Sequence, residues 1–194
     1  TSLSNENIIT QEYLHGGMIT DLKTLEQVEH VARSLWDFSF QSAFIEGCWH
    51  ADLHKGNVIC MMESDMDPTP KLGIIDFGIT GSFKGFEKSI VLNYNTHILK
   101  KEWERAGRLF VTKMVKKTNM HAQDRERFMR EVSNILSEHY GHESPDIMGS
   151  VCALTKCSKK YGTKFNNQYA KFEMGFSTLA CTMVELGYPN IYDF

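Results

Sequence analysis

The chain has 194 residues, 42% of them hydrophobic, and a formal net charge of −3 at pH 7. This length and apolar content suit one globular domain or one lobe of a larger protein. The slightly acidic balance gives no general attraction for nucleic acid or an anionic membrane, so a phosphate ligand would have to be held locally. No apolar run approaches the ~20 residues of a membrane span, and we expect no transmembrane segment.

The cysteines also restrict the class of protein. Their number is odd and they are dispersed, without a Cys-x-x-Cys pair, which favours reduced thiols over a disulfide framework or a zinc site. The polar start "TSLSNEN" is unlike a signal peptide. We therefore expect an intracellular, reducing compartment. The five cysteines are Cys48, Cys60, Cys152, Cys157 and Cys181.

The first predicted element is a strand over residues 6–17, "ENIITQEYLHGG". Ile8, Thr10 and Tyr13 favour the pleated backbone, and the paired glycines at the end of the stretch break it. Because one strand is not stable alone, this strand would need a neighbour with which to pair.

A long amphipathic helix is predicted next, over residues 24–45. Apolar residues recur there mostly at steps of three and four, the spacing of one helical face. Asp21 or Thr24 could cap its start, and Gly47 would end it. The apolar positions are Leu25, Val28, Val31, Leu35, Phe38 and Ile45.

The remaining chain predicts a hairpin followed by helices. "NVICMM" and "KLGIIDFG" are short apolar runs separated by the turn-rich "ESDMDPTP". The stretch "GITGSFKG" after them is interpreted as a flexible turn. From Gly85 onwards the pattern predicts about five helices, and the fold class is therefore mainly α. The clearest helical faces contain Ile90, Val91, Tyr94 and Ile98; Phe128, Val132, Ile135 and Leu136; and Tyr169, Phe172, Phe176, Leu179, Met183 and Leu186.

The stretch "WHADLHKGNVIC", residues 49–60, concentrates polar side chains just before the hairpin. Taken singly, His50 is interpreted as a packed histidine that orients the loop, and Lys55 as a solvated surface charge. Taken together, Asp52 and Asn57 precede the first hairpin strand, and Asp76 ends the second. Since a hairpin returns its second strand beside its first, Asn57 and Asp76 are predicted neighbours.

Oxygen ligands of this kind, with positions left open for phosphate and water, suit Mg²⁺ better than zinc or copper. Asn57 would supply an amide oxygen and Asp76 a carboxylate. Asp52 could then accept a proton from an attacking hydroxyl or orient it. This is the set of groups used in phosphoryl transfer, in which an Asp-x-x-x-x-Asn loop precedes an Asp-Phe-Gly motif.

These motifs resemble those of the protein-kinase-like superfamily, and within it the UbiB family of atypical kinases, also called aarF-domain or coenzyme Q kinase-like proteins. A "HADPHPGN"-type loop and an "IDFG" motif in that family correspond to "HADLHKGN" at residues 50–57 and "IIDFG" at residues 74–78. "NIITQEYLHGGMITD" is similar to the family's hinge strand. "NNQYAKFEMGFSTLACTMVELGYPNIYDF" is similar to its closing helix and end.

The resemblance implies roles for particular residues. Asp52 would be the catalytic-loop aspartate, with His54 of the same loop a second catalytic candidate. Asn57 and Asp76 would be Mg²⁺ ligands and would contact the bound nucleotide. Glu12, Tyr13 and Leu14 would form the hinge beside the adenine. The implied cofactors are ATP and Mg²⁺, and the implied substrate is lipid-linked or quinone-linked.

Two departures keep alternatives open. Leu53 and Lys55 stand where the family often has proline, and "DLH" at residues 52–54 also resembles the loop of aminoglycoside and choline phosphotransferases. Ala51 and the tail "NTHILKKEWERAGRLF" favour the UbiB family. A small-molecule phosphotransferase of the aminoglycoside or choline type is one alternative. A non-catalytic, pseudokinase-like interaction module is the other.

A kinase also needs a small lobe with a phosphate-covering loop, a lysine and a glutamate. None is recognisable here, because only about six residues precede the predicted hinge strand. The whole chain, residues 1–194, is therefore expected to form a kinase-like C-terminal lobe without the small lobe. Little turnover is expected from it alone, and the exposed edge of its hinge strand should lead to self-association or to binding of the missing lobe or a partner chain.

Overall fold

A computed structural model describes residues 4–116, 118–190 and 192. The mainly α, kinase-like fold expected from the sequence is confirmed, with five helices after the hairpin among these described residues. The helices are α1 (Leu25–Phe40), α2 (Glu87–Leu99), α3 (Trp103–Leu109), α4 (Ala122–Tyr140), α5 (Ile147–Lys160) and α6 (Asn167–Glu185). The strands are β1 (Cys48–His50), β2 (Val58–Met61), β3 (Lys71–Ile74) and β4 (Thr80–Ser82).

Helix α1 begins where the sequence predicts. The Thr24 side chain accepts a hydrogen bond from the Gln27 backbone N, and the Gln27 side chain accepts one from the Thr24 backbone N, which is a reciprocal cap. The α-helical winding ends at Phe40 and widens into a π-helical turn over Gln41–Glu46. Gly47, with φ of 78°, then ends the helical segment in the left-handed conformation, as predicted.

The predicted hairpin is confirmed, and its register is antiparallel from Val58 opposite Ile74 to Met61 opposite Lys71. A second pair of strands differs from the expectation. "GITGSFKG" is not simply a flexible turn, since its residues Thr80–Ser82 form β4, which pairs antiparallel with β1. The pairing needs Gly81, because any side chain there would overlap the Trp49 indole opposite it.

The predicted first strand, residues 6–17, is wrong as a regular strand. In the described structure this stretch has no strand, and only Gly17 pairs with the hairpin. Gly17 N donates to Cys60 O (3.0 Å) and Cys60 N to Gly17 O (2.8 Å). Ile8, Ile9 and Tyr13 are exposed. The physical reason is that no strand among the described residues pairs with the stretch before Gly17, and strand propensity without a partner does not make a ladder.

The core lies mainly among helices α2 to α6. Phe110, in the π-helical turn after α3, is fully buried and contacts the rings of Tyr94, Phe128 and Phe165 at centroid distances of 6.3, 6.4 and 4.9 Å. The three predicted apolar faces all contribute buried side chains to this core. In the described part of the chain, no helix is both long and apolar enough to span a bilayer.

Candidate functional site

The hairpin register brings the two predicted metal ligands to the same end of the sheet. Val58 pairs with Ile74, and Ile75 N donates a hydrogen bond to Asn57 O at 3.0 Å. Asp76 is the next residue after Ile75. The predicted proximity of Asn57 and Asp76 therefore follows from the observed strand pairing, while their role as ligands stays a prediction.

The Asn57 side chain is buried, with 5% of its surface exposed, and its orientation is fixed by the loop before it. Its Nδ2 donates to the Asp52 backbone O at 2.9 Å. Because the donor end of the amide is used in this way, the acceptor oxygen Oδ1 is the end left for a cation.

Asp76 lies at the exit of β3 in a left-handed conformation, with φ of 58°. This region is uncommon for residues other than glycine and is frequent at functional sites, where surrounding structure maintains it. One carboxylate oxygen, Oδ1, accepts a hydrogen bond from Gly78 N at 3.2 Å. The side chain is exposed, so its second oxygen remains available to a ligand.

Asp52 and His54 lie on the loop between β1 and β2. The His54 Nδ1 accepts a hydrogen bond from Gly56 N at 3.0 Å, which caps the short 3-10 turn Lys55–Asn57. The His54 Nε2 is 3.8 Å from Asp52 Oδ2, and both side chains are partly exposed. His54 thus has a visible structural function as a cap, and its catalytic role stays a prediction.

His50 is a buried histidine that bonds both to the Asp52 loop and to the segment before Asp76, in keeping with the packed, loop-orienting histidine expected from the sequence. Its Nδ1 accepts from Asp52 N at 3.2 Å, and its Nε2 lies 3.1 Å from Ile75 O. Because Nδ1 is the acceptor, Nε2 carries the proton and donates it to that carbonyl. The ring centroid is also 5.2 Å from that of Phe77. One buried ring therefore fixes the Asp52 loop relative to the Asp76 segment.

The predicted adenine-binding residues, Glu12, Tyr13 and Leu14, differ in their surroundings. The Leu14 side chain lies directly over Gly73, where a Cβ would overlap it. Glu12 and Tyr13 are exposed. The structure thus places one of the three against the sheet and leaves the other two open to solvent, and their contact with a nucleotide stays a prediction.

Sequence reasoning missed the contribution of α6, which lies more than a hundred residues away along the chain. Its residues contact β4 and the Asp52 loop, and one of these contacts is a hydrogen bond from Thr182 Oγ1 to Leu53 O at 3.0 Å. Thr182 lies beside the apolar face that was predicted for this helix. That periodicity indicates burial but not the partner, so the contact could not be identified from sequence.

The donor set is compatible with Mg²⁺. Among the described residues, no cluster of three His, Cys, Asp or Glu could hold a metal ion by itself. One carboxylate and one amide oxygen suit a cation that takes its remaining ligands from phosphates and water. Asn57 and Asp76 would therefore hold Mg²⁺ only together with a nucleotide.

Comparison with known proteins identifies relatives among the atypical kinases. The sequence matches the ABC1 atypical kinase-like domain over residues 1–110. It is 27% identical over 138 residues to a protein of Erwinia tasmaniensis named probable protein kinase UbiB, covering 69% of this chain and 25% of that protein. A protein of the same name from Marinobacter nauticus is 24% identical over 112 residues, 56% of this chain and 20% of the relative.

A vertebrate protein is also similar. The AarF domain-containing protein kinase 1 of Xenopus tropicalis is 27% identical over 81 residues, 40% of this chain and 15% of its own length. The chain thus spans a quarter or less of these curated relatives. No solved structure matches it.

Proposed function

Since the chain belongs to the ABC1 atypical kinase-like family, we propose that it forms the ATP- and Mg²⁺-binding large lobe of a UbiB-like kinase or ATPase. The observation that supports this proposal most strongly is the pairing of Asn57 O with Ile75 N at 3.0 Å, which places Asn57 beside the Asp-Phe-Gly motif. The Asn57 Nδ2 donates to Asp52 O, which leaves the amide oxygen for a cation.

Each residue has a defined task in this proposal. Asn57 and Asp76 hold the cation that accompanies the phosphates, which neutralises their charge. Asp52 orients the attacking hydroxyl or water and accepts its proton. His54 caps the loop and faces the Asp52 carboxylate, so it supports the same group. The hinge, Glu12, Tyr13 and Leu14, is proposed to lie against the adenine.

A lipid-linked or quinone-linked substrate is the proposed acceptor. Between Asp76 and the start of α2 at Glu87 there are ten residues, and three of them form β4. This short connection offers little platform for a peptide, so a small acceptor or plain hydrolysis is favoured over protein phosphorylation.

The proposed lobe needs a small lobe or a partner chain to cover the phosphates. The exposed apolar side chains before α1 are consistent with such a neighbour, because Ile8, Ile9 and Tyr13 are each more than half exposed. We also propose a reducing compartment, in keeping with cysteines that are all free.

The test is Mg²⁺-dependent nucleotide binding and turnover by the protein together with its small lobe. Calorimetric titration with ATP should show binding in Mg²⁺ and a loss of affinity in EDTA. A panel of acceptors should then include a quinone-like lipid, choline and an aminoglycoside. Absence of Mg²⁺-dependent binding would reject the proposal, and phosphorylation of choline or the aminoglycoside would assign the alternative activity.

A further inference from the structure

Helix α6 lies along β4 and the Asp52 loop and contacts them from one face. The contacting residues follow each other at steps of four, seven and three, which keeps them on the same side of a helix. In order, Lys171 Nζ donates to Thr80 O (3.2 Å), Gly175 lies against Ala51, Thr182 donates to Leu53 O (3.0 Å) and Glu185 pairs with Lys55 (3.2 Å).

Thr182 makes a fully buried contact with the loop. Thr182 is 2% exposed and Leu53 is 1% exposed, so the hydrogen bond between them is shielded from water. The carbonyl that accepts it belongs to the peptide that joins Leu53 to His54, directly after Asp52. The neighbouring carbonyl, Asp52 O, already accepts bonds from His54 N and Asn57 Nδ2, both at 2.9 Å.

The close approach of the helix makes this contact possible. A Cβ at Gly175 would lie 2.9 Å from the Ala51 Cα and 3.1 Å from His50 O, so the α6 backbone itself touches the loop. A short side chain such as Thr182 can therefore reach Leu53 O. Its hydroxyl also lies 3.2 Å from Thr178 O of its own helix, so a single hydrogen is shared between two acceptors.

We propose that Thr182 is a positioning residue, which sets the direction of the Asp52 carboxylate through the Leu53 carbonyl. The catalytic consequence rests on the proposed function. The Leu53–His54 peptide can rotate only if its carbonyl gives up a buried hydrogen bond, which is unfavourable. Thr182 thus fixes the backbone on the carboxyl side of Asp52, while His50 fixes its amide.

Thr182→Val tests the proposal, because it removes the hydroxyl and keeps nearly the same shape. Thr182→Ser restores the donor. The matched control is Thr178→Val, which removes a hydroxyl bonded to Met174 O on the same helix without touching the loop. The measurements are amide hydrogen exchange by NMR and steady-state ATP turnover, made on the protein with its small lobe.

In Thr182→Val, the amides of His54 and Asn57, which donate within the loop, should exchange at least about tenfold faster, while amides in α4 keep their rates. The kcat should fall about tenfold or more, with KM for Mg²⁺-ATP within about twofold of the unsubstituted protein. Thr182→Ser should recover both properties, and Thr178→Val should retain both.

Equal acceleration of exchange in the loop and in α4 would show general destabilisation and would overturn the proposal. An unchanged kcat beside faster loop exchange would overturn it as well, since the loop would then move without consequence. If the unsubstituted protein fails to bind Mg²⁺-ATP, the proposed function fails. The exchange rates then decide whether Thr182 positions the loop: acceleration confined to the loop supports that, and unaltered or uniformly raised rates reject it.

Discussion

The motif region, residues 48–82, and the helical region, residues 87–185, are organised in different ways. The motif region has four strands of three or four residues, and its polar side chains form hydrogen bonds with the backbone of its loops. The helical region contains large aromatic side chains that are completely buried, including Tyr94, Phe110 and Phe128. Apart from the contacts of α6 with the Asp52 loop, the candidate chemistry lies in the motif region and the buried aromatic core in the helical region. Most substitutions in the two regions should therefore have separable effects.

The largest expected effect is in the motif region and distinguishes its two aspartates. Asp52→Asn should lower turnover ~10²–10⁴-fold and leave Mg²⁺-ATP binding nearly intact, because it removes the proton acceptor but no proposed ligand. Asp76→Asn should weaken Mg²⁺-ATP binding itself, because a negative charge facing the cation is lost. Calorimetric titration and ATP turnover, measured on the protein with its small lobe, check both outcomes.

Thermal melts of the two variants provide the control for that comparison. Both aspartates could instead be ordinary loop residues that cap turns, since such side chains commonly bond nearby backbone groups. In that case each variant would melt at a lower temperature and bind Mg²⁺-ATP with unchanged affinity. Such a result would contradict the assignment of metal ligand and base.

The next largest effect is expected in the helical region. Phe110→Ala should lower the free energy of unfolding by about 3–5 kcal/mol, because it leaves a cavity among buried rings. The measurement is urea denaturation followed by circular dichroism. Leu99→Ala at the exposed end of α2 is the matched control, with an expected change within about 0.5 kcal/mol. If Phe110→Ala lowered the free energy of unfolding by no more than about 0.5 kcal/mol, as expected for the control, the core would not depend on this ring.

Much of the structure of the motif region and of helix α1 is predictable from sequence, because the signals involve residues close together in the chain. The hairpin was predicted from two apolar runs and a turn, and its pairing brings Asn57 close to Asp76. The start of α1 was predicted from two candidate capping residues, Asp21 and Thr24, and the structure shows that Thr24 is the cap. Such signals act over a few residues and need no knowledge of the rest of the fold.

The features that sequence did not predict all depend on distant partners. The segment around Ile8 has strand propensity but no strand beside it among the described residues, so it remains irregular. Thr80–Ser82 has little strand propensity but pairs with β1 because the chain returns there. The hydrogen bond from Thr182 to Leu53 joins residues 129 positions apart. Composition and periodicity carry no information on which distant residues meet.

A third prediction concerns Glu173, a fully buried carboxyl group in α6. Burial raises the pKa of Glu173 to about 7, from an ordinary value of 4.5. The folded state therefore retains a proton that the unfolded chain releases above pH 4.5. The associated stability is present below pH 4.5 and is lost as the pH rises through 7, about 3 kcal/mol in total.

Glu173→Gln should remove this pH dependence, because the amide resembles the protonated carboxyl group and does not titrate. Urea denaturation at pH 5 and pH 8 should show the variant more stable than the unsubstituted protein at pH 8, with a smaller difference at pH 5. Tyr94, Tyr140 and Tyr192 interact electrostatically with the Glu173 carboxyl group, but burial raises their pKa values above the ordinary 10, outside this range. Glu138→Gln, at an exposed position of α4, is the control and should change neither value. Parallel pH curves for the Glu173 variant and the unsubstituted protein would contradict the prediction.

The smallest expected effect returns to the motif region, at Lys55, where the resembling family often has proline. Two features of the backbone suit proline at this position. Lys55 is the first residue of the turn Lys55–Asn57, where the backbone N–H has no partner inside the turn. His54 before it is extended, with ψ of 166°, which is the conformation that a residue preceding proline needs. Lys55→Pro loses the half-exposed ion pair with Glu185, worth 0 to about 1 kcal/mol, and gains about 0.4–1 kcal/mol by restricting the unfolded chain. The free energy of unfolding of Lys55→Pro should therefore differ from that of the unsubstituted protein by no more than about 1 kcal/mol. Lys55→Ala is the control: it loses the ion pair without restricting the unfolded chain, so it should be less stable than Lys55→Pro. A loss above about 2 kcal/mol in urea denaturation of Lys55→Pro would mean that the backbone at Lys55 does not accommodate proline in the folded state.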